Sequence, residues 1–181
     1  MPTRSNISGM DRQPTEIVQV ASEAEIAVVR SLLREYISWV MTLDADSACA
    51  PTFEGLEVEL AALPGIYARP SGRMLLAVHE GKAAGCICLK PYGPDTCEVK
   101  RFYVRPEMRG RAIGSLLMTR VMEEARLAGY KRIVLDSHVS MKTAHAIYEA
   151  NGFRKIPVPP DFPENLKAVA IFMECILPVR A

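Results

Sequence analysis

The chain predicts an α/β (α+β) fold, a sheet covered by helices on both sides. Three observations predict it. Strand-like and helical segments follow one another in the order strand, two helices, three strands, helix, strand, helix, two strands. Apolar residues make up 49% of 181 residues, enough to fill a core at a length that suits one domain. The apolar runs are short and sit between charges, so no segment is long enough to cross a bilayer as a helix.

Residues 1–13 (MPTRSNISGMDRQ) lack the apolar stretch of a secretion signal and read as a disordered lead-in, with a single domain over 14–181. Residues 15–20 (TEIVQV) alternate polar and apolar, the period of a strand. Ser22 then stands three residues before Glu25, a capping box for a helix carrying Ile26, Val29, Leu33, Tyr36 and Ile37 on one face. Residues 41–52 read as irregular, and a second helix is expected over about 54–62, stopped by Pro64. Met74–Glu80 and Lys82–Lys90 form a hairpin about Gly81, and Pro91, Gly93 and Pro94 make the next break. Residues 96–104 (TCEVKRFYV) are a strand. A strong helix follows over about 113–128, with Ile113, Leu116, Leu117, Val121 and Ala125 in period and Gly129 beyond its end. Residues 132–136 (RIVLD) read as a buried strand and 142–151 as a helix closed by Gly152. Strands near 153–156 and 168–177 flank a proline-rich loop, 157–165 (PVPPDFPEN).

Charged residues are 24% of the chain and the formal net charge is +1, which excludes a polybasic nucleic-acid binder. The five cysteines, Cys49, Cys86, Cys88, Cys97 and Cys175, show no C-x-x-C spacing and no metal motif. They read as core thiols of a reducing compartment, which points to the cytoplasm. Cys86 and Cys88, two apart in a strand, should share a face.

The densest chemical signal lies at 96–114, where a strand runs into Arg-Pro-Glu-Met-Arg-Gly-Arg-Ala-Ile-Gly and a helix begins. Glycines at 110 and 114 let backbone approach a ligand closely, and amides at a helix N-terminus form a donor-rich, positive concavity. Arg109 and Arg111 add charge beside it. A diphosphate suits such a loop, although an ordinary glycine-capped turn with surface arginines has the same composition. Neither G-x-x-x-x-G-K-[ST] nor G-x-G-x-x-G is present.

These residues resemble the GNAT superfamily of N-acetyltransferases. The family motif [QR]-x-x-G-x-[GA] is matched by Arg109, Gly110, Arg111, Ala112, Ile113 and Gly114 within YVRPEMRGRAIGSLLM. A second motif, A-x-x-x-Y-E-x-x-G-F, is matched by Ala144, Tyr148, Glu149, Gly152 and Phe153. The resemblance covers about 15–177 and is sharp over 97–154. It implies a mixed, mostly antiparallel sheet of six or seven strands, with acyl-CoA in a cleft between two splayed parallel strands, 98–104 and 132–137. Acetyl-CoA is the implied co-substrate, with no metal. Main chain at Phe102, Tyr103 and Val104 would pair with the pantetheine arm, and amides from Arg109, Gly110, Arg111, Ala112, Ile113, Gly114 and Ser115 would hold the diphosphate. Ala144 and Tyr148 come to the cofactor from the later helix. Two positions depart from the pattern. Ala112 replaces a glycine, so its amide can face phosphate provided that φ stays negative. Met141 replaces a frequent asparagine, a contact that Ser140 could supply instead.

The resemblance implies transfer of an acetyl group to a primary amine of a small molecule. A free alkyl amine is mostly protonated at neutral pH, so a carboxylate must take its proton. Glu98 is the candidate general base, and pairing with Lys100 or Arg101 is its structural reading. Tyr148 is the candidate general acid for the departing thiolate, and a core tyrosine is its structural reading. A main-chain amide near Val104 is the candidate oxyanion donor. His138 is a further cleft candidate, while His145 and His79 read as packing or surface residues. Tyr36, Trp39, Phe53 and Tyr67 come from the region that roofs the acceptor pocket, and Lys142 is either a phosphate neighbour or an exposed helix start. Two alternatives remain: a non-catalytic acyl-CoA sensor, suggested by Ala112 and Met141, and acetylation of a protein or peptide. Partners on this reading are acetyl-CoA and an amine, with no nucleic acid and no membrane, in a monomer or homodimer.

Overall fold

A computed structural model describes residues 14–42 and 55–178. The expected lead-in at 1–13, most of the irregular 41–52 stretch, Cys49 and Phe53 lie outside the described residues. The elements are β1 (Glu16–Gln19), α1 (Glu23–Val40), α2 (Leu56–Ala61), β2 (Arg73–His79), β3 (Lys82–Gly93), β4 (Thr96–Val104), α3 (Ile113–Leu127), β5 (Arg132–His138), α4 (Lys142–Ala150), β6 (Arg154–Ile156), α5 (Glu164–Lys167) and β7 (Ala170–Ile176). They build a seven-stranded sheet in the order β1-β2-β3-β4-β5-β7-β6. The pairings are antiparallel except β4 with β5.

Strand alternation sends side chains to two cores. Leu75, Ala77, Ile87, Leu89 and Cys97 meet Ile113, Leu117, Val121 and Tyr148 on the α3–α4 side. Met74, Leu76, Cys86, Cys88 and Tyr103 meet Ile26, Val29, Leu33 and Leu60 on the α1–α2 side. Cys86 and Cys88 therefore do share a face, and both are free thiols. Burial pushes the Cys86 thiol up to about 12.

Three local expectations change. β3 continues through Pro91 to Gly93 rather than breaking at Pro91. Beyond Leu89 the strand has no β2 partner, so a proline there removes no ladder bond on that edge. The stretch 157–165 is not wholly a loop, because α5 starts at Glu164 with Leu166 buried. One turn among prolines is too short to show a helical period. The final strand accordingly starts at Ala170 rather than 168.

Candidate active site

β4 and β5 are in register for only three pairs: Thr96 with Arg132, Cys97 with Ile133, and Glu98 with Val134. Beyond these, the helix-bearing ends of both strands separate and leave a cleft. It is lined from β4 by Val99, Lys100, Arg101 and Phe102, and from β5 by Asp136, Ser137 and His138. Tyr36 and Val40 of α1 form one wall, Met141 and Tyr148 another, and Phe162, Leu166, Val169 and Ala170 a third.

The β4 side is not a regular strand. Cys86 pairs with Tyr103 and Cys88 with Lys100, so two steps on β3 face three on β4. Such an extra residue is a β-bulge. It places Arg101 at φ +58, in the left-handed region. The Arg101 guanidinium grips Glu59 of α2 with two bonds, Nε to Oε1 at 2.9 Å and Nη2 to Oε2 at 2.6 Å. The Tyr67 hydroxyl donates to the same carboxylate at 2.8 Å. Burial alone would raise the Glu59 carboxyl, but Arg101 and Tyr67 outweigh it and hold it below the usual carboxylate range.

Either side of the bulge, side chains alternate. Tyr103 turns to α1, with its ring 5.8 Å from Tyr36 and 6.4 Å from Trp39. Phe102 turns to α4, with its ring 5.9 Å from Tyr148. Tyr148 is 5% exposed and borders the cleft. Burial, with Tyr36 and Asp136 nearby, raises its pKa well above the ordinary phenol value. It keeps its proton through the neutral range and is a potential donor there.

Glu98 stands at the crotch of the two strands, and its side chain does not border the cleft directly. Its carboxylate meets Lys90 Nζ at 2.8 Å and Lys100 Nζ at 3.4 Å. Lys100 also meets Asp136 Oδ1 at 2.7 Å. Burial would lower the Lys100 ammonium, but Asp136 and Glu98 together raise its pKa and keep it charged. The carboxylate nearest the cleft is thus Asp136, with Glu98 one ammonium behind it. The pairing of Glu98 with Lys100 that the sequence suggested is present; Arg101 is instead committed to Glu59.

At the end of β4, one turn (Pro106–Met108) leads into Arg109. Gly110 has φ +77 and Ala112 has φ +60, ψ 7. The condition of a negative φ at Ala112 is not met: alanine occupies a glycine-like, left-handed conformation just before α3 begins. No side chain caps α3, and no acid lies in its first turn. The side chain of Ile113 is 1% exposed and enters the core, so only its main chain can meet a ligand. A Cβ built on Gly114 would lie 2.8 Å from Ile147 Cδ1 and 3.3 Å from Phe102 Cζ, so glycine is needed where α3, α4 and β4 meet. Ser115 is exposed in the first turn. The Arg109 guanidinium lies 4.8 Å over the Trp39 ring, with Nε donating to the Val104 carbonyl at 3.2 Å. Arg111 Nη1 is 3.1 Å from His79 Nε2. Bare amides flanked by two arginines suit the diphosphate of a nucleotide carrier.

The remaining candidates fall nearby. Ser140 Oγ is 2.7 Å from His138 Nδ1. Ala144 packs against the α3-side core. His145 is buried, with Nε2 3.2 Å from Ser137 Oγ. Lys142 is exposed at the start of α4. Met141 borders the cleft, and its sulfur receives the Ser137 hydroxyl at 3.6 Å. Lys100, Arg101, Asp136 and Glu59 were not singled out from the sequence as site residues. For Lys100, Arg101 and Asp136 the available signal was charge at strand positions; Glu59, on α2, offered none. Among the described residues, no group of three or more His, Cys, Asp or Glu side chains gathers to hold a metal ion, and no helix is long and apolar enough to cross a membrane.

The model of the acetyltransferase (GNAT) family matches residues 39–153. An uncharacterized N-acetyltransferase of Schizosaccharomyces pombe is 40% identical over 105 residues, which are 57% of this chain and 64% of that protein, so the match spans less than two thirds of that relative. An IAA acetyltransferase of Azospirillum brasilense is 36% identical over 113 residues, 59% of this chain and 69% of that protein. The crystal structure of a PaiA N-acetyltransferase from Thermoplasma acidophilum, in complex with coenzyme A, superposes with a TM-score of 0.72 at 18% identity, covering 91% of this chain and 100% of that one.

Proposed function

The chain belongs to the acetyltransferase (GNAT) family, and on that premise we propose that it transfers an acetyl group from acetyl-CoA directly to a primary amine of a small molecule. The uncapped start of α3, beside splayed β4 and β5, is the observation that carries this reading. The Arg109 amide is already given to the Pro106 carbonyl at 3.2 Å, so main-chain amides from Gly110 to Ser115 hold the diphosphate beside the Arg109 side chain. The free edge of β4 at Phe102 to Val104 runs beside the pantetheine arm, with Ser140, just before α4, and Ala144 of α4 flanking it. Acetyl-CoA, when bound, supplies an activated acyl group as a thioester. The protein supplies position, which alone can be worth several powers of ten.

Tyr148 serves as the acid, since it borders the cleft and retains its proton. Its hydroxyl donates to the leaving thiolate. Asp136 takes the amine's proton at the cleft, and Glu98 acts behind it, keeping an anionic partner on the Lys100 ammonium while Asp136 is neutral. A main-chain amide between the bulge and Val104 donates to the developing oxyanion. Tyr36, Val40, Phe162 and Leu166 all line the cleft, and apolar walls of this kind support a small acceptor. The absence of a C-x-x-C pair and the buried free thiols accord with a cytoplasmic setting.

Incubation with acetyl-CoA and a panel of small amines and peptides, read by release of free thiol, tests this. Turnover with small amines is expected, and Tyr148→Phe should slow it by about 10²-fold while leaving acetyl-CoA affinity nearly intact. Thermal stabilisation by acetyl-CoA with no thiol release from any amine would favour the sensor, and turnover confined to peptides would favour the protein acetyltransferase.

A further inference from the structure

We infer that the Glu59–Arg101 ion pair holds the β4 bulge in place, making both side chains positioning residues for the thioester carbonyl. This rests on the acetyl-CoA reading above. Arg101 adopts φ +58, a conformation that disfavours every residue with a Cβ. Such a conformation costs about 1–2 kcal/mol, a grip on the side chain offsets that cost, and strained backbone of this kind gathers at functional sites. The grip is visible: two charge-assisted bonds of 2.9 and 2.6 Å to one carboxylate, itself held by the Tyr67 hydroxyl at 2.8 Å. Tyr67 is 2% exposed, so the anchor is fixed in the α1–α2 core.

The bulge in turn touches both halves of the site. Phe102, the next residue, packs its ring 5.9 Å from that of Tyr148. Its Cζ also lies within 3.3 Å of where a Cβ on Gly114 would sit, at the start of α3. Relaxation of β4 to a regular strand would rotate main chain from 101 to 103 away from the cleft and shift Phe102. Binding at the α3 amides lies one step removed from that change. Glu59 and Arg101 should thus govern how the carbonyl is polarised, more than how tightly the carrier is held.

Acetyl-CoA labelled with ¹³C at the carbonyl reads this without any acceptor. In the wild type, the bound carbonyl resonance should move downfield of the free one. Glu59→Gln should return it at least halfway to the free position, with calorimetric affinity for acetyl-CoA within about threefold of wild type. Adding Arg101→Gly to Glu59→Gln should restore the wild-type shift, because glycine takes a positive φ without a grip. Should Glu59→Gln not fold, Arg101→Lys keeps the charge but loses the two-pronged contact and is expected to lose the shift, while Arg101→Gly alone keeps it. The inference is overturned if Glu59→Gln or a folded Arg101→Lys keeps the full shift, if glycine fails to restore it, or if the wild type shows none. Absence of any wild-type affinity for acetyl-CoA would instead overturn the functional reading, and this inference with it.

Discussion

Two helix starts in this molecule solve the same problem in opposite ways. At α1, Ser22 Oγ accepts from the Glu25 amide, and the Glu25 carboxylate accepts from the Ala21 and Ser22 amides at 2.9 Å. Those backbone bonds, together with the Ser22 hydroxyl, hold the Glu25 carboxyl below its ordinary value of 4.5. At α3, Ala112 offers no side chain to the amides, sits in a left-handed conformation, and precedes a first turn without an acid. A helix leaves its first amides unsatisfied unless something caps them. α1 caps itself, whereas α3 leaves its first amides without a side-chain cap and without an acid in the first turn. The comparison teaches that a missing cap, placed beside a parting pair of strands, is informative in a way that a present one is not.

The largest test closes the open end by force. Gly114→Val would push side-chain atoms into Ile147 and Phe102. Overpacking of this kind costs about 1–3 kcal/mol, and coenzyme A affinity should fall by about 100-fold in calorimetry as α3 is displaced. Ser115→Asp fills the end electrostatically. It should raise stability by about 0.3–1 kcal/mol in thermal unfolding yet weaken coenzyme A by about tenfold. Opposite signs in one variant are the signature of an end kept open for a ligand.

At α1 the expectation is reversed. Ser22→Ala should cost about 1 kcal/mol of stability and leave coenzyme A affinity unchanged. The same cap carries a pH dependence. Because Glu25 is lowered in the folded state, its contribution is present above about 4.5 and is lost as pH falls through the lowered value. Acid titration of wild type against Glu25→Gln should therefore converge below that range. The smallest effect belongs to Ala112→Gly. Relief of left-handed strain is worth about 1–2 kcal/mol, of which about 0.4–1 kcal/mol is lost to the freer unfolded chain. A slight rise in melting temperature with coenzyme A affinity retained is expected.

Much of this was legible from residue order. The capping box at Ser22 and Glu25 announced α1, and the apolar period from Ile113 to Ala125 announced α3, because both signals are local. The loop at 109–114 was legible as a glycine-bearing turn into α3 for the same reason. Arg101 was not legible as a bulge, since its positive φ follows from a register slip against β3 and from a carboxylate 42 residues away. Asp136 was hidden within a strand that reads as apolar, and only the parting of β4 from β5 turns it toward a cleft. α5 was obscured by the prolines around it. Long-range pairing, rather than composition, decided each of these.

One titration bears most directly on the bare amides of α3. Coenzyme A and pantetheine, which lacks the diphosphate, should be titrated into the protein in parallel. Saturable heat is expected with coenzyme A well below about 1 mM and none with pantetheine at that concentration. Equal affinity for the two, or no heat from coenzyme A at about 1 mM, would contradict the assignment.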